Sequence, residues 1–396
     1  MEYNFTSVNP RHGTGSAKWN EIRDTLPGFE GDIIPFSVAD MEFETAPEIR
    51  TALKDYIDRY VLGYANATDE VKASVCRWME RRHGWAIQPE WILSAHGVID
   101  AFFTAVRAYT KPGEGVMLMT PVYYPMYHAV KSNDRVLVDC PLVNREGRYE
   151  IDWEDFTRKA ADPNTKLLIL CSPHNPSGRV WTREELERLG RICLDNGVLV
   201  CSDEIHFDLV MPGHKHIVYA TLGEEFARNC LVLTAPSKTF NLAGLQTSNV
   251  IIPDPELRET FHREELRSCT NPKCNVLGYE ANRVAYDQCE GWLEQVLSII
   301  DENRRLVEQF MAKEFPAVRI TPLEGTYLLW MDFNPLGIDY LELARILREE
   351  AQLFFDDGHI FGEQGRGFER WNLACPTRYI TEGLDRMKAA LDRHLT

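Results

Sequence analysis

Between residues 90 and 253 the chain alternates short, continuous apolar runs with stretches of helical pattern, and no other feature restricts its fold as strongly. The apolar runs are Trp91–Ala95, Val116–Pro121, Val136–Leu142, Lys166–Ser172, Val198–Asp203, Leu231–Ala235 and Ser248–Ile252. Runs of this kind belong to strands covered on both faces by crossover helices. One such helix is predicted over Arg183–Asn196. Thr182 and Glu185 form a capping box at its start, and Gly197 suits its C-terminal stop. The segment therefore reads as an α/β domain with a mostly parallel sheet of seven strands.

The pattern changes after Pro253. A long helical run from about Val276 to Phe315 is followed by a strand pair around Arg319–Asp332 and a helix from Asp339. A strand around Phe368–Leu373 and a closing helix from Thr381 to Leu395 complete a smaller α+β domain. The expected division is an N-terminal segment, 1–45, packing on the small domain, a large domain, 46–285, and a small C-terminal domain, 286–396. The large-to-small boundary falls inside the long helical run.

Three strand ends carry residues with chemical potential. Lys238, in Ser237-Lys238-Thr239-Phe240-Asn241, follows the run Leu231–Ala235. Burial disfavours the ammonium form, lowers the pKa and makes the neutral amine a nucleophile suited to Schiff-base chemistry. An exposed loop lysine fits the same local sequence. Asp203, in Ser202-Asp203-Glu204-Ile205-His206, also ends a strand, at the sheet edge where open α/β folds bind ligands. An aspartate there can pair with a protonated pyridine nitrogen. Asp203, Glu204 and His206 as metal ligands are the competing reading, for which no further ligand is evident. The third is Asn175, in Ser172-Pro173-His174-Asn175-Pro176-Ser177-Gly178, where either X-Pro bond is a candidate for cis and the amide can bond a ring oxygen or a carboxylate.

Weaker signals accompany these. Gly97, in Ala95-His96-Gly97-Val98-Ile99, passes a strand into a helix whose free N–H groups can hold a phosphate. Gly13-Thr14-Gly15 follows no strand, and no GxxxxGK[ST] occurs. His214-x-His216 reads as a solvated turn after Pro212-Gly213.

Charge and composition exclude other classes. A formal net charge of −17, from 43 basic and 60 acidic residues, argues against nucleic-acid binding. No signal-peptide core or run of roughly 18 apolar residues is present. The ten cysteines are scattered and without Cys-x-x-Cys pairs, as expected of free thiols in a reducing cytoplasm. The Asn4-Phe5-Thr6 and Asn66-Ala67-Thr68 sequons are accordingly chance matches.

Asn175, Asp203 and Lys238 stand at the ends of successive strands, 28 and 35 residues apart. In this the chain resembles, over essentially its whole length, the fold-type-I pyridoxal phosphate (PLP) enzymes of the aspartate aminotransferase superfamily. Within them it is similar to the cystathionine β-lyase and cystalysin-type C–S lyases. The likeness also rests on Arg11-His-Gly-Thr-x-Ser-x-Lys-Trp19, Ala39-Asp40-Met41-Glu42-Phe43, Gly63-Tyr64, Pro121-Val-Tyr-Tyr124 and Gly367-Phe-Glu-Arg-Trp-Asn372. The resemblance implies PLP on Lys238 as a Schiff base, with the same lysine then moving the Cα proton. It implies Asp203 on the pyridinium nitrogen, Asn175 on the ring 3-oxygen and Tyr123 stacked on the ring. Gly97, Val98, Ile99 and Ser237 would cradle the phosphate. Tyr64 would reach the phosphate of a neighbouring subunit in a homodimer. Arg370, with Asn175 beside it, would grip the substrate α-carboxylate, where a planar fork meets a planar acid.

Two departures from the aminotransferase pattern point to the lyase branch. Gln246 stands eight residues after Lys238, where many aminotransferases have a phosphate-binding arginine, and His206 stands where they commonly have tyrosine. His206 is a cofactor-site residue by this likeness, or simply part of the pocket wall. The implied reaction is α,β-elimination from an L-amino acid with sulfur on Cβ, giving a thiol, pyruvate and ammonia. Tyr123, Tyr124 or Tyr64 would protonate the departing sulfur. An aminotransferase, and a PLP-binding regulatory protein with little catalysis, are the rival readings.

Overall fold

All seven apolar runs form strands of one sheet. The computed structural model describes residues 3–28, 31–268 and 274–395. In chain order the strands are β1 (Ile92–Ala95), β2 (Gly115–Thr120), β3 (Val136–Pro141), β4 (Thr165–Cys171), β5 (Leu199–Asp203), β6 (Cys230–Thr234) and β7 (Ser248–Ile251). Their spatial order is β1-β7-β6-β5-β4-β2-β3, and β7 alone runs antiparallel to its neighbours. The continuous apolar sequence is explained by burial on both faces. Leu118, Ile169, Cys201 and Leu231 pack on one side with Ala101, Phe102 and Ala105 of the helix Val98–Tyr109. Met117, Leu168, Val200 and Val232 face the main core on the other. The alternating direction of strand side chains divides each run between the two layers.

The helix Arg183–Asp195 has the expected capping box, Thr182 Oγ1 accepting from Glu185 N and Glu185 accepting from Thr182 N. Gly197 follows it at φ +67°. The long helical run is two helices, Val276–Gln288 and Glu290–Glu314, broken at Cys289. The break lets Tyr286 and Trp292 both meet Phe240, with ring centroids at 6.1 and 6.2 Å. Phe240 lies two residues beyond Lys238, so this packing supports the turn that carries the lysine.

A second, antiparallel sheet is built from β8 (Arg319–Ile320), β9 (Leu328–Asp332), β10 (Asp356–Asp357) and β11 (Phe368–Asn372), in the order β8-β9-β11-β10. Asp339 caps the helix Tyr340–Arg345, which continues as a π turn through Glu350. The closing helix spans Thr377–Leu391, four residues earlier than expected at both ends; Pro376 is its non-helical N-cap and no breaker lies between it and Thr381. The N-terminal segment crosses to this part of the chain: Ile34–Pro35 pairs in parallel with Leu353–Phe354. Nine cysteines are free thiols, and Cys269 lies outside the described residues. Among the described residues no helix is long and apolar enough to cross a membrane.

Candidate active site

A cavity of about 230 Å³ opens at the C-terminal edge of the large sheet, lined by Asn175, Asp203, Lys238, Tyr123, Gly97, Val98, Ile99, Ser237 and His206 among others. Three strand ends place the central groups. After β6, Ala235 is extended and Pro236 opens the single helical turn Pro236–Thr239, where its missing N–H costs nothing. Lys238 projects from this turn, and its Nζ donates to the Ala39 carbonyl at 2.7 Å. Burial is the main reason its pKa falls from 10.5 to about 8, with Arg370 adding to the fall and Asp40 and Asp203 opposing it. A minor fraction of the amine is therefore neutral near pH 7, far more than for an ordinary lysine.

Asp203 ends β5 with its carboxylate in the cavity. Burial pushes its pKa up to about 7, against the stabilising Ile205 N–H at 3.2 Å and the nearby Lys238. A carboxylate held at that cost gains most from a cationic partner entering the cavity. Glu204 faces the opposite layer, where Ser202 Oγ and Tyr219 N donate to Oε1 and His216 Nε2 lies 2.7 Å from Oε2. The metal reading of Asp203, Glu204 and His206 therefore does not hold. Nor is His216 in a solvated turn: it is 5% exposed because the buried Glu204 carboxylate requires a partner.

Asn175 lies in the loop after β4, in which both Ser172-Pro173 and Asn175-Pro176 are cis. Its Oδ1 accepts from Arg370 Nη1 at 2.9 Å. Arg370, on β11, is 2% exposed and stands directly behind the cavity wall, with its guanidinium carbon 4.6 Å from the Phe361 ring centroid. Gly97 caps the helix Val98–Tyr109 at φ +122°, and a Cβ there would meet nothing within 4 Å. The first N–H groups of that helix have no partner within it, and Gly97, Val98 and Ile99 line the cavity. Tyr123 has its hydroxyl pKa raised by burial, whereas Tyr124 is 40% exposed and outside the lining. His206 is buried and edge-on to Tyr327, its pKa lowered by burial and by Lys238 and Arg370. Gln246 lines the cavity at φ +45°. Tyr64 does not join the cavity in a single chain and is fully exposed.

The sequence motifs meet around Lys238. Arg11 and Lys18 pair with Asp40 and Glu42, and Lys18 Nζ lies 2.6 Å from Glu42 Oε1 at zero side-chain exposure. These cations hold the Asp40 carboxyl at about 2 despite its burial. Asn241, at φ +57°, bonds Met41 N, Met41 O and Phe43 O, while Asn372 donates to the carbonyls of Val38 and Asp40. Tyr327 and Lys238 share the Ala39 carbonyl. The floor beneath the lysine is thus built from four distant stretches of chain.

Two supporting carboxylates gave no sequence signal. Asp208 accepts from Thr239 Oγ1 at 2.7 Å, from Trp78 Nε1 at 3.2 Å, and lies 2.8 Å from His83 Nε2. Asp356 holds Arg370. Both act through side-chain contacts 31 to 130 residues apart or across a two-residue strand, which periodicity cannot register.

The match of the aminotransferase class I and II family to residues 31–387 makes the chain a member of that family. It is 41% identical over 388 residues to the cystathionine beta-lyase PatB of Bacillus subtilis, covering 98% of this chain and all of that protein. Protein MalY of Escherichia coli is 32% identical, over 96% of this chain and 97% of its own. Among solved structures, cystalysin from Treponema denticola, which contains a pyridoxal 5'-phosphate cofactor, superposes with a TM-score of 0.97 at 43% identity over the full length of both chains. The PLP-bound C–S lyase from Staphylococcus hominis gives a TM-score of 0.91 at 32% identity, covering 99% of this chain and 98% of that one.

Proposed function

We propose that this protein is a PLP-dependent carbon–sulfur β-lyase, releasing a thiol, pyruvate and ammonia from L-cystathionine or a related cysteine S-conjugate. The observation that carries it is the meeting of a lysine amine with its pKa lowered to about 8, a buried carboxylate raised to about 7 and the Asn175 amide in one cavity. These residues fit PLP. Lys238 Nζ suits its aldehyde, Asp203 its ring nitrogen, Asn175 its 3-oxygen and Tyr123 a face of the ring. The glycine-capped helix start, with Ser237, suits its phosphate.

Bound there, PLP withdraws electron density from the substrate Cα. Lys238 Nζ would take the Cα proton of the bound amino acid, which its lowered pKa permits near neutral pH. Asp203 holds the proton of the ring nitrogen. Arg370 receives the α-carboxylate, Asn175 reaches the same group, and His206 closes the wall beside Lys238. Tyr123, Tyr124 or a partner's tyrosine supplies a proton to the departing sulfur. Elimination is favoured over amino transfer by full-length relatives named cystathionine beta-lyase and by Gln246 and His206 at positions where aminotransferases differ.

The same reading divides the chain into 1–45, 46–285 and 286–396, supported by the pairing of Ile34–Pro35 with Leu353–Phe354 and by a small sheet made wholly after residue 318. It makes the protein a homodimer, supported by the exposed apolar stretch Tyr60, Val61, Leu62 and Tyr64, with Tyr64 reaching the neighbouring site. The free thiols suit a cytoplasmic setting. Pyruvate release from a panel of Cβ-sulfur amino acids, with no 2-oxo acid added, tests the activity. Turnover is expected. Turnover only when a 2-oxo acid is supplied would replace this reading with an aminotransferase.

A further inference from the structure

Arg370 is clamped in a way that leaves only part of its guanidinium available. The group has five N–H donors, one on Nε and two on each terminal nitrogen. Asp356 Oδ2 accepts from Nε at 3.1 Å and from Nη2 at 2.5 Å. Asn175 takes one donor of Nη1. One N–H remains on each terminal nitrogen, and these are the two atoms that a carboxylate bridges when it meets arginine end-on.

Asp356 is itself well anchored. It is 7% exposed, sits directly opposite Arg370 in the β10–β11 ladder, and its Oδ2 also accepts the Val38 N–H at 3.0 Å. Val38 belongs to the segment whose next residue, Ala39, receives Lys238. The Phe361 ring packs 4.6 Å from the guanidinium carbon and limits its rotation. An arginine side chain otherwise has many rotamers to lose on ordering.

We propose that Asp356 is a positioning residue for carboxylate recognition. By occupying the Nε side of Arg370 it presents the terminal nitrogens to the substrate α-carboxylate. This inference rests on the reading of Arg370 as the carboxylate ligand.

The test compares kcat and KM of the holoenzyme for an S-substituted L-cysteine and for its α-methyl ester, in the wild type and in R370A, D356A and D356N. Cofactor absorbance verifies that each variant is loaded. In D356A the KM for the acid is expected to rise by the equivalent of one charge-assisted hydrogen bond, roughly 10- to 150-fold. The kcat should change far less, and the preference for acid over ester should fall by the same factor. D356N, whose amide oxygen still accepts from the Nε side, should recover part of that preference. A general loss of stability would lower acid and ester turnover together and leave their ratio intact. If R370A loses the preference but D356A retains it, the role given to Asp356 is overturned and that of Arg370 stands. If R370A retains the preference, Arg370 is not the carboxylate ligand and both fall. D356S carries the same test if D356A does not fold.

Discussion

The lowered pKa of Lys238 makes a quantitative prediction about how cofactor-free protein takes up PLP. Only the neutral amine attacks the aldehyde. With the pKa at about 8 instead of 10.5, the neutral fraction at pH 7 is about 9%, against about 0.03% for an ordinary lysine, a ratio of about 300. The perturbation is pH, stepped from about 6.5 to 10 in rapid mixing of cofactor-free protein with excess PLP. The rate of the absorbance change that marks bond formation to the lysine is followed. The rate of a free lysine analogue, expressed per neutral amine, divides out the cofactor's own titration. The sign follows from burial, which favours the uncharged form: the normalised rate climbs about tenfold per pH unit below 8 and flattens above it. Arg370→Gln removes a positive charge that lowers this pKa, so its plateau should begin at higher pH. A normalised wild-type rate that keeps rising to pH 10 would refute the reasoning, because the amine would then be no more acidic than one in water.

Other residues give equally direct outcomes. Asp203→Asn removes the charge proposed to pair with the ring nitrogen; pyruvate release should fall by about 10²-fold or more in kcat, as for loss of a preorganised electrostatic partner. Asp208→Ala leaves Arg82 and His83 without the carboxylate that joins them and frees the Thr239 hydroxyl. Urea unfolding should record a loss of about 3–5 kcal/mol, the usual cost of breaking a buried charged network. Thr239→Val should cost less, about 1–3 kcal/mol, because Asp208 keeps its other donors.

The parts of the fold visible in the sequence are those decided locally. Seven strands could be placed because a strand covered on both faces must be apolar throughout. Lys238, Asp203 and Asn175 stood out because each follows such a strand directly, and strand order then brings their loops to one edge. What escaped depends on pairings distant in sequence. His216 lies beside a Pro-Gly turn and looks solvated until the buried Glu204 is seen to require it. Asp356 belongs to a two-residue strand with no periodicity, and only the ladder opposite Arg370 gives it meaning. The break at Cys289 has no proline to announce it. Lys18 and Glu42 gave no hint, beyond family likeness, that they form a buried pair beneath Lys238. Tyr64 is exposed in the single chain, and the contact proposed for it lies with a second copy.

The central claim is that this site eliminates sulfur from Cβ using Lys238 to carry the Cα proton. It is tested most directly by measuring thiol, pyruvate and ammonia together from L-cystathionine, without a 2-oxo acid, for the wild type and Lys238→Ala. The account predicts equal amounts of the three products from the wild type and near-complete loss in the variant, with partial recovery when a small primary amine is added. Undiminished product from Lys238→Ala, or consumption of the substrate's amino group without thiol release, would contradict it.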